Sequence, residues 1–185
     1  VLAPAILLPS DFSYQPKMKS ATDSQFTNAR AMAFLRISVG TLFLIFGQYK
    51  VFGTQFTLHG GFQFWINRFL EDGAYPFMIP LLRGFVLPHA TAIAFLVAYG
   101  ELAIGMALVF GVLVRPASAF GLLYMLTLLF SANYPGAHAP FWQYFGASLD
   151  HLVLALCFLG FLMGNSSTAW SLHARLPNDS INPDQ

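Results

Sequence analysis

The chain has 185 residues, of which 56% are hydrophobic and only 9% charged, and its mean hydropathy is +0.60. Soluble domains carry about 25% charged residues, so water cannot cover this surface and lipid must cover much of it. The net charge of +1 without any basic cluster argues against a nucleic-acid partner, and the single cysteine, Cys157, leaves no intrachain disulfide and no thiolate metal cluster.

Residues 1–30 are mixed in character and read as an extended or surface-lying arm, with Lys17, Lys19 and Arg30 making the approach to the membrane basic. The first eight residues are apolar but too few to span, and no basic start precedes them as a secretory signal would need. The first spanning helix is expected over 31–52. Arg36 and Lys50 lie 14 residues apart in it, about 21 Å along a helix, so each is expected to snorkel toward its own interface. Ser38, Thr41 and Gln48 share one face, and Gly40 and Gly47, seven apart, would let a neighbouring helix come close.

Residues 53–88 are too aromatic for a free linker. Phe62, Trp65, Ile66, Phe69 and Leu70 recur at helical spacing with polar residues between them, the pattern of an amphipathic helix in the interface. A second short helix is expected through Phe77–Val86, so that the segment caps the bundle mouth. The second span is expected over 89–114, ended by Arg115-Pro116. Its only carboxylate is Glu101, on a stripe with Thr91, Ala94, Ala98, Gly105 and Leu108. The third span is expected over 117–133, with Tyr124, Thr127 and Ser131 on one face. The fourth is expected over 141–164, carrying Asp150 and His151, followed by a polar tail over 174–185.

The fold class that follows is all-α: an integral membrane four-helix bundle with an amphipathic cap between helices 1 and 2, in one domain over 31–173. The arm with Arg36, the turn at Arg115 and the tail hold six Lys and Arg, against three for the cap with Lys50 and none for 134–140. The positive-inside rule then places both termini in the cytoplasm, the cap outside, and the protein in the inner (plasma) membrane.

In order along these helices stand R-x-x-x-G (Arg36, Gly40), G-x-x-K (Gly47, Lys50), E-x-x-x-G-x-A-L-x-x-G-x-x-x-R (Glu101 to Arg115) and a closing G-x-x-x-x-x-W-S-L (Gly164, Trp170, Ser171, Leu172). The chain resembles the DoxX/DoxD family of small bacterial and archaeal membrane proteins over about 31–173, the Glu-to-Arg block being the most specific part. His173 stands where the family often has an acidic residue. The resemblance implies the four-helix fold. Through its DoxD kind, which the long aromatic 53–88 insertion resembles more, it implies a membrane subunit of a thiosulfate:quinone oxidoreductase working with a partner subunit.

Two readings of Glu101 are open. It is either a carboxylate exchanging protons beside a quinone, or a packing residue hydrogen-bonded to Ser38, Thr41, Gln48 or Tyr124. Asp150 is the second candidate for proton exchange. Being adjacent on a helix, it and His151 point about 100° apart, and depth favours Lys50 over Arg36 and Arg115 as its partner. Tyr124, His151 and Trp65 are candidates for a quinone environment, with Phe62, Phe64 and Phe69 beside Trp65. Arg36, Lys50 and Arg115 are expected in structural or ionic roles. His59, His89 and His138 lack metal-ligand spacing, and no metal is expected. Membrane lipids and further membrane or periplasmic subunits are the expected partners. The two functions in view are a quinone-linked redox subunit and an accessory subunit of a larger respiratory or photosynthetic complex. A small transporter is a third, disfavoured by the absence of an inverted repeat.

Overall fold

The computed structural model describes residues 21–164 and 169–171. Of the arm expected over 1–30, residues 1–20 with Lys17 and Lys19 lie outside the described residues, as do Leu172, His173 and the tail; residues 21–30 are helical, so the first helix starts ten residues before the expected 31. The chain is all-α, with no strand among the described residues. The order is α1 (Ala21–Phe52), α2 (Thr54–Thr57), α3 (Gly61–Glu71), α4 (Met78–Leu81), a π turn (Leu82–Val86), α5 (Ala90–Phe110), α6 (Val114–Ser131), α7 (Gln143–Gly146) and α8 (Leu149–Met163).

Three helices are long and apolar enough to cross a membrane: Thr27–Phe52 of α1, α5 and α6. Their outer faces carry exposed Leu42, Phe46, Leu96, Phe120 and Leu123, as helices bathed in hydrocarbon require. The fourth apolar helix, α8, has 15 residues and begins at Leu149 rather than 141, because α7 and a turn take up the preceding chain.

α1 packs antiparallel on α5, and α6 on α8, with the two pairs joined through α5–α6 and α1–α8. The α1–α5 seam is as close as the glycine spacing predicts. A Cβ on Gly47 would stand 2.7 Å from the backbone N of Leu102, one on Gly40 2.8 Å from Leu108 Cβ, and one on Gly105 2.7 Å from the N of Leu44. Such contacts draw together two backbones that have no hydrophobic drive to separate from lipid. At the α6–α8 seam Gly121 lies under the ring of Phe158, which is fully buried and meets Phe43 of α1 edge-on at 5.2 Å.

The buried stripe of α5 contains Ala94, Ala98, Glu101, Gly105 and Leu108, as expected, but it starts at Ala90, and Thr91 faces out. The Arg-Pro pair does not end this helix. α5 stops at Phe110 with Gly111 in the left-handed conformation (φ 70°), and Arg115 and Pro116 lie in the first turn of α6. Proline fits there because the first-turn N–H groups have no helical acceptor.

The segment 53–88 forms the cap. α3 buries Phe62 and Ile66, which pack with Tyr75, Met78 and Leu82 over the start of α5. Instead of one second helix over 77–86, α4 gives way to the π turn, in a stretch bounded by Pro80 and Pro88. The Tyr75 N–H donates to Phe130 O (3.1 Å) and the Tyr134 N–H to Gly73 O (2.8 Å), stitching the cap to the end of α6. Burial, then neighbouring Tyr144 and Tyr134, pushes the Tyr75 phenol above its ordinary range.

Candidate functional site

The sequence puts one carboxylate in the middle of an apolar helix, and the fold decides what surrounds it. Glu101 is 6% exposed. Its Oε1 accepts hydrogen bonds from Lys50 Nζ of α1 (2.5 Å) and from Tyr124 OH of α6 (2.6 Å). Its Oε2 is buried with no partner among the described residues. A carboxylate has about four acceptor positions, so two donors on one oxygen leave the other unused. The Lys50 ammonium also sits 5.1 Å from the centre of the Phe56 ring, at the base of the cap.

Lys50 therefore does not simply snorkel outward. It supplies the counter-charge for Glu101, because the glycine seam brings residue 47 level with residue 102 and puts Lys50 about one turn away from the carboxylate. The other donors expected for Glu101 are occupied elsewhere. Ser38 Oγ donates to Phe34 O and Thr41 Oγ1 to Ile37 O, within their own helix, and Gln48 is exposed.

Glu101 and Tyr124 line two cavities. One, of about 230 Å³, lies between α1, α6 and α8 and is lined by Lys50, Glu101, Tyr124, Asp150, His151 and apolar residues including Phe46 and Leu154. The other, of about 600 Å³, is a groove between α5 and α6, running from Leu96 to Ala107 along α5, past Leu113 in the turn, and from Pro116 to Thr127 along α6. Its walls are apolar except at Glu101, Tyr124 and Thr127.

Asp150 is not the partner of Lys50. Its side chain is 74% exposed, and its Oδ1 lies 3.2 Å from His151 Nδ1. That approach is within ion-pair range but is not aligned as a hydrogen bond, and Nδ1 is otherwise buried without one. The 100° between their Cα–Cβ directions does not separate the two side chains, since both reach the mouth of the same cavity. Trp65 lines neither cavity. Phe62 and Ile66 take the buried face of α3, so Trp65 is turned outward beside Phe64 and Phe69. Arg115 is exposed at the start of α6.

Arg36 is the largest departure from expectation. It does not snorkel: it is fully buried, and its Nη2 donates to Trp170 O (2.8 Å) and Ala169 O (3.3 Å). Gly111 makes room for it, since a Cβ there would stand within a bond length or two of Arg36 Nη1 and Ser171 Cβ. Trp170 is held in the left-handed region (φ 49°), which costs a non-glycine residue about 1–2 kcal/mol. Its carbonyl is fixed by Arg36. Six of the quoted motif residues thus gather into two clusters, Lys50 with Glu101 and Arg36 with Gly111, Trp170 and Ser171. Sequence spacing within one helix could not show either pairing. Matching depths across the antiparallel seam would have pointed to the first.

Among the described residues no group of three His, Cys, Asp or Glu side chains could hold a metal ion. His59 and His89 are exposed, each with Nδ1 against a carbonyl of the preceding turn.

Fold and site together define an all-α membrane protein built around a buried lysine–glutamate pair. The DoxX family profile matches residues 31–134, and the chain belongs to the DoxX family. Searches of curated proteins and of solved structures give no match.

Proposed function

We propose that the chain is an integral membrane subunit of a quinone-linked redox complex, with the α5–α6 groove holding a quinone whose head lies against Glu101. The observation that carries this reading is the groove itself. It is long and apolar, as a lipid-soluble tail requires, and its few polar side chains converge on a buried carboxylate with one oxygen unused. A quinone, when bound, supplies two-electron, two-proton chemistry. The chain's own part is to orient the head and to hold or release a proton at Glu101 Oε2. Lys50 balances the charge of the carboxylate, and Lys50 and Tyr124 both donate to Oε1, which leaves Oε2 without a donor. Electrons come from a partner subunit, as in the DoxD kind, and the aromatic cap with its outward Trp65 and Phe64 gives a contact surface at that end. The same reading takes α8 as a fourth crossing of the plasma membrane with both termini cytoplasmic. The distribution of Lys and Arg supports this, as does the return of residues 169–171 to the end of the bundle where Gly111 lies.

A second reading, an accessory subunit without chemistry, is favoured by one fact: Glu101 ties together α1, α5 and α6. Photoaffinity labelling separates the two. A photoreactive quinone added to the protein in lipid nanodiscs is expected to mark residues 96–107 or 113–127 saturably. Labelling is expected to fall about tenfold or more in Glu101→Gln, the effect of losing a charge-assisted hydrogen bond, and to be blocked in Ala103→Phe, which fills the groove. Unsaturable labelling spread over all lipid-facing helices, with Glu101→Gln impairing only stability, would favour the accessory subunit.

A further inference from the structure

The groove reaches Glu101 from the lipid side, and the smaller cavity reaches it from another. We propose that Glu101 exchanges its proton with water on the cap side of the membrane, through the cavity between α1, α6 and α8, with His151 and Asp150 as the relay at its mouth.

The contrast between the two spaces carries the argument. The groove offers Thr127 as its only polar side chain besides Glu101 and Tyr124, so a proton leaving that way meets hydrocarbon. The smaller cavity is lined by five polar side chains: Lys50, Glu101, Tyr124, Asp150 and His151. Its volume of about 230 Å³ is several times the share of one liquid water, about 30 Å³, and a buried water needs two to four polar partners. Both conditions for ordered water are met.

The direction of the opening follows from the helix positions. Asp150 is the second residue of α8 and Lys50 is two residues from the end of α1, next to the cap. Glu101 is the twelfth residue of α5, about 16 Å from its cap-side start. The exposure of the polar side chains falls in the same order: Asp150 74%, His151 27%, Lys50 21% and Glu101 7%.

The groups facing Glu101 from the helices packed on it are Lys50 on α1 and Tyr124 on α6, with His151 and Asp150 on α8 across the cavity. The other titratable side chain of α5, Tyr99, is exposed and lines neither cavity. Of these, imidazole is the one that takes a proton on one nitrogen and gives one from the other. Its Nδ1 faces Asp150 Oδ1. A proton released from the Glu101 carboxyl passes to cavity water and on to the imidazole of His151. The imidazole takes this proton at Nε2, and Nδ1 then releases its own to the Asp150 carboxylate, which passes it to bulk water. Uptake runs in reverse. No covalent bond to carbon changes and no electron moves.

The route rests on the quinone reading only for the use made of the proton; access to Glu101 can be measured without any quinone. In sealed vesicles of Cys157→Ser protein, a membrane-impermeant, water-soluble carbodiimide is expected to modify Glu101 when added at the cap face and not at the opposite face, read by mass spectrometry. In Leu154→Cys/Cys157→Ser protein, a cationic thiosulfonate reagent added at the cap face is expected to modify Cys at 154 and then to protect Glu101. Filling the groove by Ala103→Phe is expected to leave the carbodiimide reaction unchanged. In His151→Cys/Cys157→Ser protein the same cationic reagent is expected to modify the thiol at 151 from the cap face and likewise to protect Glu101, which places that position on the route. The proposal is overturned if Glu101 reacts only with a lipid-soluble carbodiimide, if the groove variant rather than the thiol adduct protects it, or if the adduct at 151 leaves Glu101 as reactive as before. Access from the cap face without saturable quinone labelling would defeat the quinone reading and leave the route standing.

Discussion

Lys50 and Glu101 illustrate why a buried pair has to be judged as a pair. Desolvating either charge alone is costly, and removing one partner of a buried ion pair typically costs about 3–5 kcal/mol because the other is left uncompensated. Lys50 keeps about a fifth of its side chain exposed, so the cost here should fall toward the low end of that range. Lys50→Met is therefore expected to lower the unfolding temperature in detergent markedly. The double variant Lys50→Met/Glu101→Gln is expected to recover most of the loss, since the neutral amide still accepts from Tyr124. A double variant no more stable than Lys50→Met would show that the pair is not what the site depends on.

At the scale of helices, the seams are set by glycines that have no space for a side chain. Gly47→Ala would drive a methyl to 2.7 Å from a backbone nitrogen of α5, and Gly121→Ala would press one into the ring of Phe158. One obstacle is backbone and the other is the tip of a fully buried ring, so overpacking of about 1–3 kcal/mol is expected for each. Gly100 has nothing within 4 Å of its would-be Cβ, and Gly100→Ala is expected to be neutral or to stabilise α5 by up to about 1 kcal/mol. Unfolding of the three variants in one detergent ranks them, and equal losses at Gly100 and Gly47 would contradict the close seam.

Across the whole molecule, Arg36 links the beginning of the bundle to its end. It reaches from α1 to the carbonyls of Ala169 and Trp170, beyond α8, in a space kept open by Gly111 between α5 and α6. In Arg36→Gln the strained Trp170 conformation loses its fixed carbonyl, and the 169–171 segment is expected to detach. Limited proteolysis should then cut near these residues several times faster than in the wild type, while α5 and α6 stay protected. An unchanged cleavage rate would mean that other contacts hold the strap.

The fold class was legible in the sequence because hydropathy and length are one-dimensional. Runs of about 20 apolar residues cannot be covered by water, and their periodicity marks the face that packs. Gly40, Gly47 and the small-residue stripe of α5 announced the tight seam for the same reason. Helix ends were less legible. Arg115-Pro116 fits equally well after one helix or inside the first turn of the next, and only the left-handed Gly111 placed the break. The pairing of charges was not legible at all. Arg36 and Lys50 look alike as snorkelling cations when each helix is read alone. The antiparallel packing of α1 on α5 and the return of the chain after α8 turn one toward a carboxylate and the other toward two carbonyls. The sequence by itself determined that Glu101 lies within an apolar span. Only the tertiary structure could decide that it stands between an apolar groove and a polar cavity, because each is bounded by side chains from helices far apart in the chain.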